Sequence, residues 1–336
     1  MSATVFRNIA LLGVSCCHMH VTRIRAKKNF SQSTGNLGSK ILVALKNAGF
    51  TVTAIQRKES TNVPADGIKT IKVDLTSGPD LTAAFMGQDV VVSATPNPRL
   101  DTEKIWMEAA LNAGVKRIVP SEYSTNLETE AAKTLPIVTD KLAIRKYVQD
   151  LTSSGKIDWT SVNNGPFFLS WLWLSGWMGP NPKTKTATVH DDGEAIVCTS
   201  SLERIAEGVA KALSPEHADD TKNKPIYVYT TAMSERKMID IVAKISGDKF
   251  HETKLSITTI TKEAFEALKR GDESKKTNFY VPFCFGSEYR GDFRYQAWNE
   301  KLGLKELGDA ELEETVRRWL EEMKSVDPDT AKIGGS

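Results

Sequence analysis

Along the first half of the chain, hydrophobic positions switch between two periods. Apolar runs of strand length recur as "NIALLG" (8–13), "TVTAIQR" (51–57), "IKTIKVDL" (68–75), "DVVVSAT" (89–95), "KRIVPSEY" (116–123) and "IDWTSVNNGPFF" (157–168). Helical repeats stand between most of them. In "LGSKILVALKNAGF" (37–50), Ile41, Leu42 and Leu45 share a face, and "DLTAAFMGQ" (80–88), "TEKIWMEAALNAGV" (102–115) and "TDKLAIRKYVQDL" (139–151) follow. A strand apolar on both faces, such as "DVVVSAT", suits a parallel sheet covered by helices. The alternation predicts an α/β fold with a doubly wound, Rossmann-type parallel sheet and right-handed crossovers. Gly49 and Gly114 fall just past helix ends, where glycine takes the left-handed conformation cheaply.

After Phe168 the rhythm loosens. "TATVHDDGEAIVCTS" (186–200) reads as a hairpin turning at Asp191–Gly193, and "LERIAEGVAKAL" (202–213) as a helix. A strand at "KPIYVYTT" (224–231) precedes a helix N-capped by Ser234, and an amphipathic helix at 309–325 closes the chain. This predicts a dinucleotide-binding domain over 1–168, a smaller and less regular α+β substrate region over 169–325, and a disordered tail over 326–336.

With 336 residues, 40% hydrophobic and 26% charged, the chain can bury a sizeable core. A net charge of +2 argues against nucleic-acid binding, which concentrates basic surplus on a face or tail. The cysteines, Cys16, Cys17, Cys198 and Cys284, make no disulfide framework, and no secretory signal is visible. The longest apolar stretch, 166–179, is too short and glycine-broken to cross a bilayer. A cytoplasmic protein without a membrane partner is expected.

A dinucleotide site at the end of a first strand needs glycines at fixed offsets: one for the tight turn, one for close approach of backbone N–H groups to the pyrophosphate, one for helix packing. Here Gly13 is separated from Gly35-Asn36-Leu37-Gly38 by too many residues. Removing Val14 to Gln32 joins "IALLG" to "STGNLGSKILVALKNAGF", which restores Gly13, Thr34, Gly35, Asn36, Leu37 and Gly38 to a G-x-x-G-x-x-G turn between strand and helix. The removed segment holds "CCHMH" and four of the chain's basic residues, with no acid. Its opening Val-Ser can be encoded GTRAGT and its closing Gln CAG, the usual borders of an intron, so a translated intron is the leading reading. Trimming Ser15 to Ser33 serves equally. Two rivals remain: a basic loop for an acidic partner, and a soft-metal site, which lacks the second Cys/His pair that zinc draws upon. No metal is expected.

An acid at the tip of the second strand selects NAD, and a basic residue selects NADP through the 2′-phosphate. "AIQRKES" places Arg57 and Lys58 there, and the planar fork of arginine matches phosphate oxygens. NADP(H) is therefore the expected cofactor. Asp74 after the third strand would flank the adenine, and Ala94 and Thr95 after the fourth the nicotinamide ribose.

The repaired "GSTGNLG" with "AIQR", "GVKRIVPSEYSTN", "DKLAIRKYV" and "IDWTSVNNGPFF" resembles the NmrA-like and isoflavone-reductase-like branch of atypical short-chain dehydrogenases, over about residues 7–325. That resemblance implies an NADPH-dependent reductase of aromatic or polyketide-like carbonyls or enones in secondary metabolism. Its alternative is a redox sensor that binds the nucleotide without turnover. It also implies a catalytic lysine in a K-x-x-I-R motif, matched by Lys141, Ile144 and Arg145. Hydride delivery to carbon leaves negative charge on oxygen, which a lysine at the cleft mouth can meet. The Tyr-x-x-x-Lys pair of ordinary short-chain dehydrogenases is absent, because Ile137 stands four before Lys141. Asn164, at the sixth strand's end, is a further cofactor candidate. Tyr123, Phe167 and Trp171 are candidates for a substrate wall, Glu122 for a structural cap.

Overall fold

The computed structural model describes residues 4–13, 35–61, 67–169 and 171–324. Segment 14–32, Thr34 and the tail 326–336 lie outside the described residues, as do the side chains of Asn36 and Trp171. The first half runs β1 (Asn8–Leu12), α1 (Gly35–Asn47), β2 (Thr51–Arg57), β3 (Lys69–Val73), α2 (Gly78–Phe85), β4 (Val90–Ser93), α3 (Leu100–Asn112), β5 (Arg117–Val119), α4 (Glu130–Lys133), α5 (Thr139–Thr152) and β6 (Asp158–Asn163). The second half runs α6 (Trp171–Leu174), β7 (Gly179–Asn181), β8 (Thr186–His190), β9 (Val197–Thr199), α7 (Leu202–Ala212), β10 (Lys224–Tyr227), β11 (Thr231–Met233), α8 (Glu235–Ser246), β12 (His251–Leu255), α9 (Ile257–Lys269), α10 (Tyr280–Phe285) and α11 (Asp309–Lys324).

Seven parallel strands form the main sheet in the order β10-β6-β5-β4-β1-β2-β3. The period-two alternation of each strand divides the core. Ile9 and Leu11 of β1, with Val52 and Ala54 of β2, bury one face with Ile41 and Leu45 of α1 and Ile205 and Val209 of α7. Ala10, Leu12 and Ile55 bury the other with residues of α2, α3 and α5. Each large side chain removed from water here contributes about 1.5–3 kcal/mol. Gly49 and Gly114 end α1 and α3 at φ +89° and +75°, and Ser77 caps α2 by accepting from the Asp80 N–H.

The second half returns to the first. β10 pairs with β6 as the sheet's edge strand, and α7 packs on α1, so the nucleotide-binding layer draws on chain beyond residue 169. The remainder builds two small sheets, β12-β8-β7 and β11-β9, around cores centred on Trp173, Met238 and Phe285 and on Phe279 and Phe283. The expected hairpin at 186–200 does not form. β8 pairs with β7 and β12, whereas β9 pairs with β11. The start of α8 takes the groups a hairpin would pair: His190 N–H donates to Glu235 (2.7 Å), and the Gly193 carbonyl accepts from Arg236 N–H (3.0 Å). Ser234 is the N-cap of α8 as expected, accepting from Lys237 N–H.

Candidate active site

The strand order reverses at β1, which has β2 on one side and β4 on the other. Ligands of doubly wound sheets bind in the crevice beyond the strand ends at such a switch point. Gly13 leaves β1 there at φ +80°, and a Cβ on it would stand 2.6 Å from the carbonyl carbon and oxygen of Ala94. Only glycine lets this exit pass the Ala94–Thr95 segment so closely. α1 begins at Gly35 with no acidic residue in its first turn, so no carboxylate opposes an anion at the positive end of its dipole. Leu37 and Gly38 are buried in that turn. The residues joining Gly13 to Gly35, Thr34 among them, lie outside the described residues.

At the tip of β2, Arg57 is exposed, and among the described residues it makes no ion pair. Lys58 instead pairs with Asp80 of α2 (3.1 Å). Asp74 accepts from the Thr76 hydroxyl (2.7 Å) and N–H (2.8 Å), bonds that hold its pKa below the ordinary carboxylate range. These contacts spend Lys58 and Asp74 on the entry to α2 and leave Arg57 as the cation facing solvent. Gln56, just before it, is 3% exposed, and among the described residues neither amide atom has a partner.

Lys141 lies in the first turn of α5, half-buried, and its Nζ donates to the carbonyls of Glu122 (2.5 Å) and Tyr123 (3.3 Å). Tyr123 has φ +30°, a conformation bulky residues rarely adopt, at the loop that offers both carbonyls. Burial pulls the Lys141 pKa down to about 8, with the Glu122 charge acting against the fall. Glu122 is no cap. Its carboxylate is buried and accepts from Nε and Nη2 of Arg145, whose Nη1 pairs with Glu128, and from Ser161 (2.8 Å) and Asn163 (2.7 Å). Burial works against that charge, but Arg145 and the two bonds hold its pKa below normal. The arginine of the K-x-x-I-R pattern thus anchors the loop whose carbonyls hold its lysine. Both residues stand in the quoted motifs, yet only the fold joins them.

The Ala94–Thr95 segment is braced from beneath. The Ser121 hydroxyl donates to the Thr95 carbonyl (2.8 Å), the Ser93 and Thr95 hydroxyls are 2.5 Å apart, and the Tyr123 hydroxyl donates to the Ser93 carbonyl (3.1 Å). Tyr123, offered as a substrate contact, is buried with its hydroxyl committed to that bond, and burial pushes its pKa well up. That bond makes it a brace of the segment. Glu103, which sequence reading passed over, is 1% exposed behind the same segment. Burial raises its pKa to about 7, while Trp106 and Thr95 side chains beside it favour the charged form.

Asn164 is fully buried at the end of β6, its amide donating to the Gly165 carbonyl (2.7 Å), while among the described residues Oδ1 has no partner. Phe167 is half-buried against the main core, and Phe168 and Trp173 belong to the second-lobe core, so most of the aromatic run packs the fold. The Trp171 side chain lies outside the described residues. His190 donates or accepts at Nδ1 with buried Glu235 (2.8 Å). Among the described residues no three His, Cys, Asp or Glu side chains converge as a metal site; "CCHMH" falls outside them. No helix among them is long and apolar enough to cross a membrane.

Residues 30–275 match the NmrA-like family. Oxidoreductase aprR of Aspergillus flavus is 28% identical over 242 residues, covering 70% of this chain and 80% of aprR. Among solved structures, AtPrR2 with NADP+ and (+)pinoresinol superposes with a TM-score of 0.64 at 18% identity, over 96% of this chain and 99% of that one. Isoflavone reductase superposes with a TM-score of 0.63 at 15% identity, over 91% and 92%. The strand-end crevice, the K-x-x-I-R lysine and the match over most of the sequence place this chain in the NmrA-like family.

Proposed function

We propose that the protein is an NADP-dependent oxidoreductase that reduces a small aromatic or polyketide-derived carbonyl or enone in the cytoplasm, as part of secondary metabolism. The observation that carries this reading is Lys141, whose Nζ is held by the Glu122 and Tyr123 carbonyls, next to the Ser121 that braces Thr95, and whose pKa burial lowers. Cofactor fit rests on the Gly13 passage, an α1 start free of acid, and Arg57 at the β2 tip. The name of aprR and the NADP+ and pinoresinol bound to AtPrR2 point the same way.

When bound, NADPH would supply a hydride; Arg57 would hold its 2′-phosphate, Gly13, Thr34, Gly35, Asn36, Leu37 and Gly38 its pyrophosphate, and Ala94, Thr95 and Asn164 its nicotinamide-ribose end. Lys141, fixed by the Glu122 and Tyr123 carbonyls, meets the charge that develops on substrate oxygen and delivers a proton from Nζ. Residues 14–32 are foreign to this site, as the glycine spacing restored by their removal suggests.

The test is NADPH titration and quinone- or enone-dependent NADPH oxidation by the chain, by a version lacking 14–32, and by Lys141→Ala in each. Turnover that falls about 10²–10⁴-fold in Lys141→Ala at unchanged NADPH affinity supports the proposal. As protonated lysine is the donor, wild-type kcat declines above about pH 8. Tight NADPH binding with no turnover of any tested acceptor, indifferent to Lys141→Ala, returns the redox-sensor reading. Equal NADPH affinity with and without 14–32 makes that segment a tolerated loop.

A further inference from the structure

β12, "HETKL" (251–255), ends the three-stranded sheet of the second lobe, and among the described residues only β8 pairs with it. All of its residues are exposed. The phase of the ladder shows which backbone groups are spare. The His251 N–H donates to the Lys185 carbonyl and the Leu255 carbonyl accepts from the Asp191 N–H, both at 2.8 Å. His251, Thr253 and Leu255 therefore turn their backbone groups toward β8. Glu252 and Lys254, alternating with them, turn their N–H and C=O groups outward. Such an edge is a template for a further strand. The side chains on its outward-facing residues carry opposite charges. Glu252 is held by Arg236 of α8 in the same chain, and among the described residues Lys254 has no ion pair.

We infer that β12 is a self-association edge, on which a second copy of this chain pairs antiparallel about a two-fold axis at Thr253, Glu252 of each copy lying opposite the partner's Lys254. Charge selects both the occupant and the register. Charged side chains usually blunt an edge by repulsion. A two-fold axis at Glu252 would set that carboxylate against itself, and one at Lys254 would set ammonium against ammonium. An axis at Thr253 opposes unlike charges on both sides, so this edge is complementary to its own copy. The backbone agrees with that register. Glu252 and the partner's Lys254 each present an outward N–H and C=O, so the pair exchanges both bonds, as opposed residues of an antiparallel ladder do. Thr253 then faces the partner's Thr253 as a non-hydrogen-bonded pair, with Cα atoms about 4.5 Å apart. Leu255, 40% exposed, lies across from the partner's His251. The pairing joins two small sheets into one and is independent of the cofactor reading.

The test is sedimentation equilibrium of the full chain at low salt. An edge this short makes a weak interface, so dimer is expected at about 100 µM and monomer at about 1 µM. Lys254→Glu places Glu252 opposite a glutamate, and Glu252→Lys places a lysine opposite Lys254. Each variant alone weakens dimerisation about tenfold or more. Mixed in equal amounts, the two variants dimerise with each other, because every opposed pair is again unlike in charge. Thr253→Cys supplies a measurement that leaves the charges untouched: mild oxidation links two copies through position 253, at a spacing a disulfide spans, whereas the wild-type chain treated alike gains no such link. A wild-type chain that stays monomeric at about 100 µM overturns the inference. So does a dimer that survives Lys254→Glu, which uses another surface. A mixture of the charge variants that stays monomeric, or a Thr253→Cys chain that dimerises without linking, overturns the register.

Discussion

Replacing Glu103 by glutamine isolates a single buried proton. The carboxyl sits in the first turn of α3, shut from water behind the Ala94–Thr95 segment, and among the described residues no cation pairs with it. Tyr123 is the titratable side chain that feels its charge. Burial lifts its pKa from an ordinary 4.5 to about 7. The folded protein thus keeps a proton that the unfolded chain releases between those values. Stability falls as pH rises through that window, by about 1.4 kcal/mol per pH unit and about 3 kcal/mol in all, and the loss is complete above about pH 7. Glutamine copies the protonated acid and does not titrate. Its extra amide hydrogen meets no acceptor, since Oε2 is unpartnered. That shifts the variant's stability by a constant of about 1 kcal/mol but leaves the pH dependence of the difference intact. Urea melts of both proteins at pH 5, 6, 7 and 8, at fixed ionic strength, give that difference directly, because all other titrating groups are shared. Relative to wild type, Glu103→Gln gains about 2.5 kcal/mol between pH 5 and pH 8, the rest of the window lying below pH 5. Parallel stability curves across that range would show that Glu103 ionises in the folded state as freely as in water, and the reasoning would be refuted.

Two further outcomes rest on packing and charge. Arg145→Met strands the buried Glu122 carboxylate and lowers stability by about 3–5 kcal/mol in urea melts; adding Glu122→Gln recovers most of that, whereas additive losses would deny the pairing. Gly165→Ala places a Cβ 1.8 Å from the Cys198 carbonyl oxygen at φ +69° and costs about 3 kcal/mol or more. Gly49→Ala, at φ +89° in open space, costs only about 1–2 kcal/mol, so equal melting temperatures for the two variants would contradict the clash.

Local pattern sufficed for much of the fold. The period-two and period-3.6 runs of the first half specify which residues enter the sheet and which faces of α1, α3 and α5 are buried, because burial on both faces of a parallel strand leaves a long apolar signature. Gly49 and Gly114 mark helix ends, and Ser234 a helix start, through backbone preferences that depend on the residue and its immediate neighbours. Lys141 and Arg57 were legible as candidates for the same reason: each belongs to a short motif whose chemistry is local.

Tertiary structure decided what depends on distant partners. The strand pairings of β8 with β12 and of β9 with β11 replaced a hairpin because the start of α8, far along the chain, claims the groups at the turn. Short apolar segments carry no record of which neighbour wins them. β10 entered the main sheet from beyond the first domain on the same ground. At the candidate site, Glu122 read as a structural cap and Arg145 as one letter of the lysine motif, and only the fold joined them as a buried ion pair. The bond from the Tyr123 hydroxyl to the Ser93 carbonyl, which braces the segment beside the crevice, joins residues thirty positions apart. Glu103 carries no motif, and Gln56 stands in one only as the neighbour of Arg57. Their significance lies in desolvation without a full set of partners, a property of the space around a side chain, which the order of residues along the chain leaves unwritten.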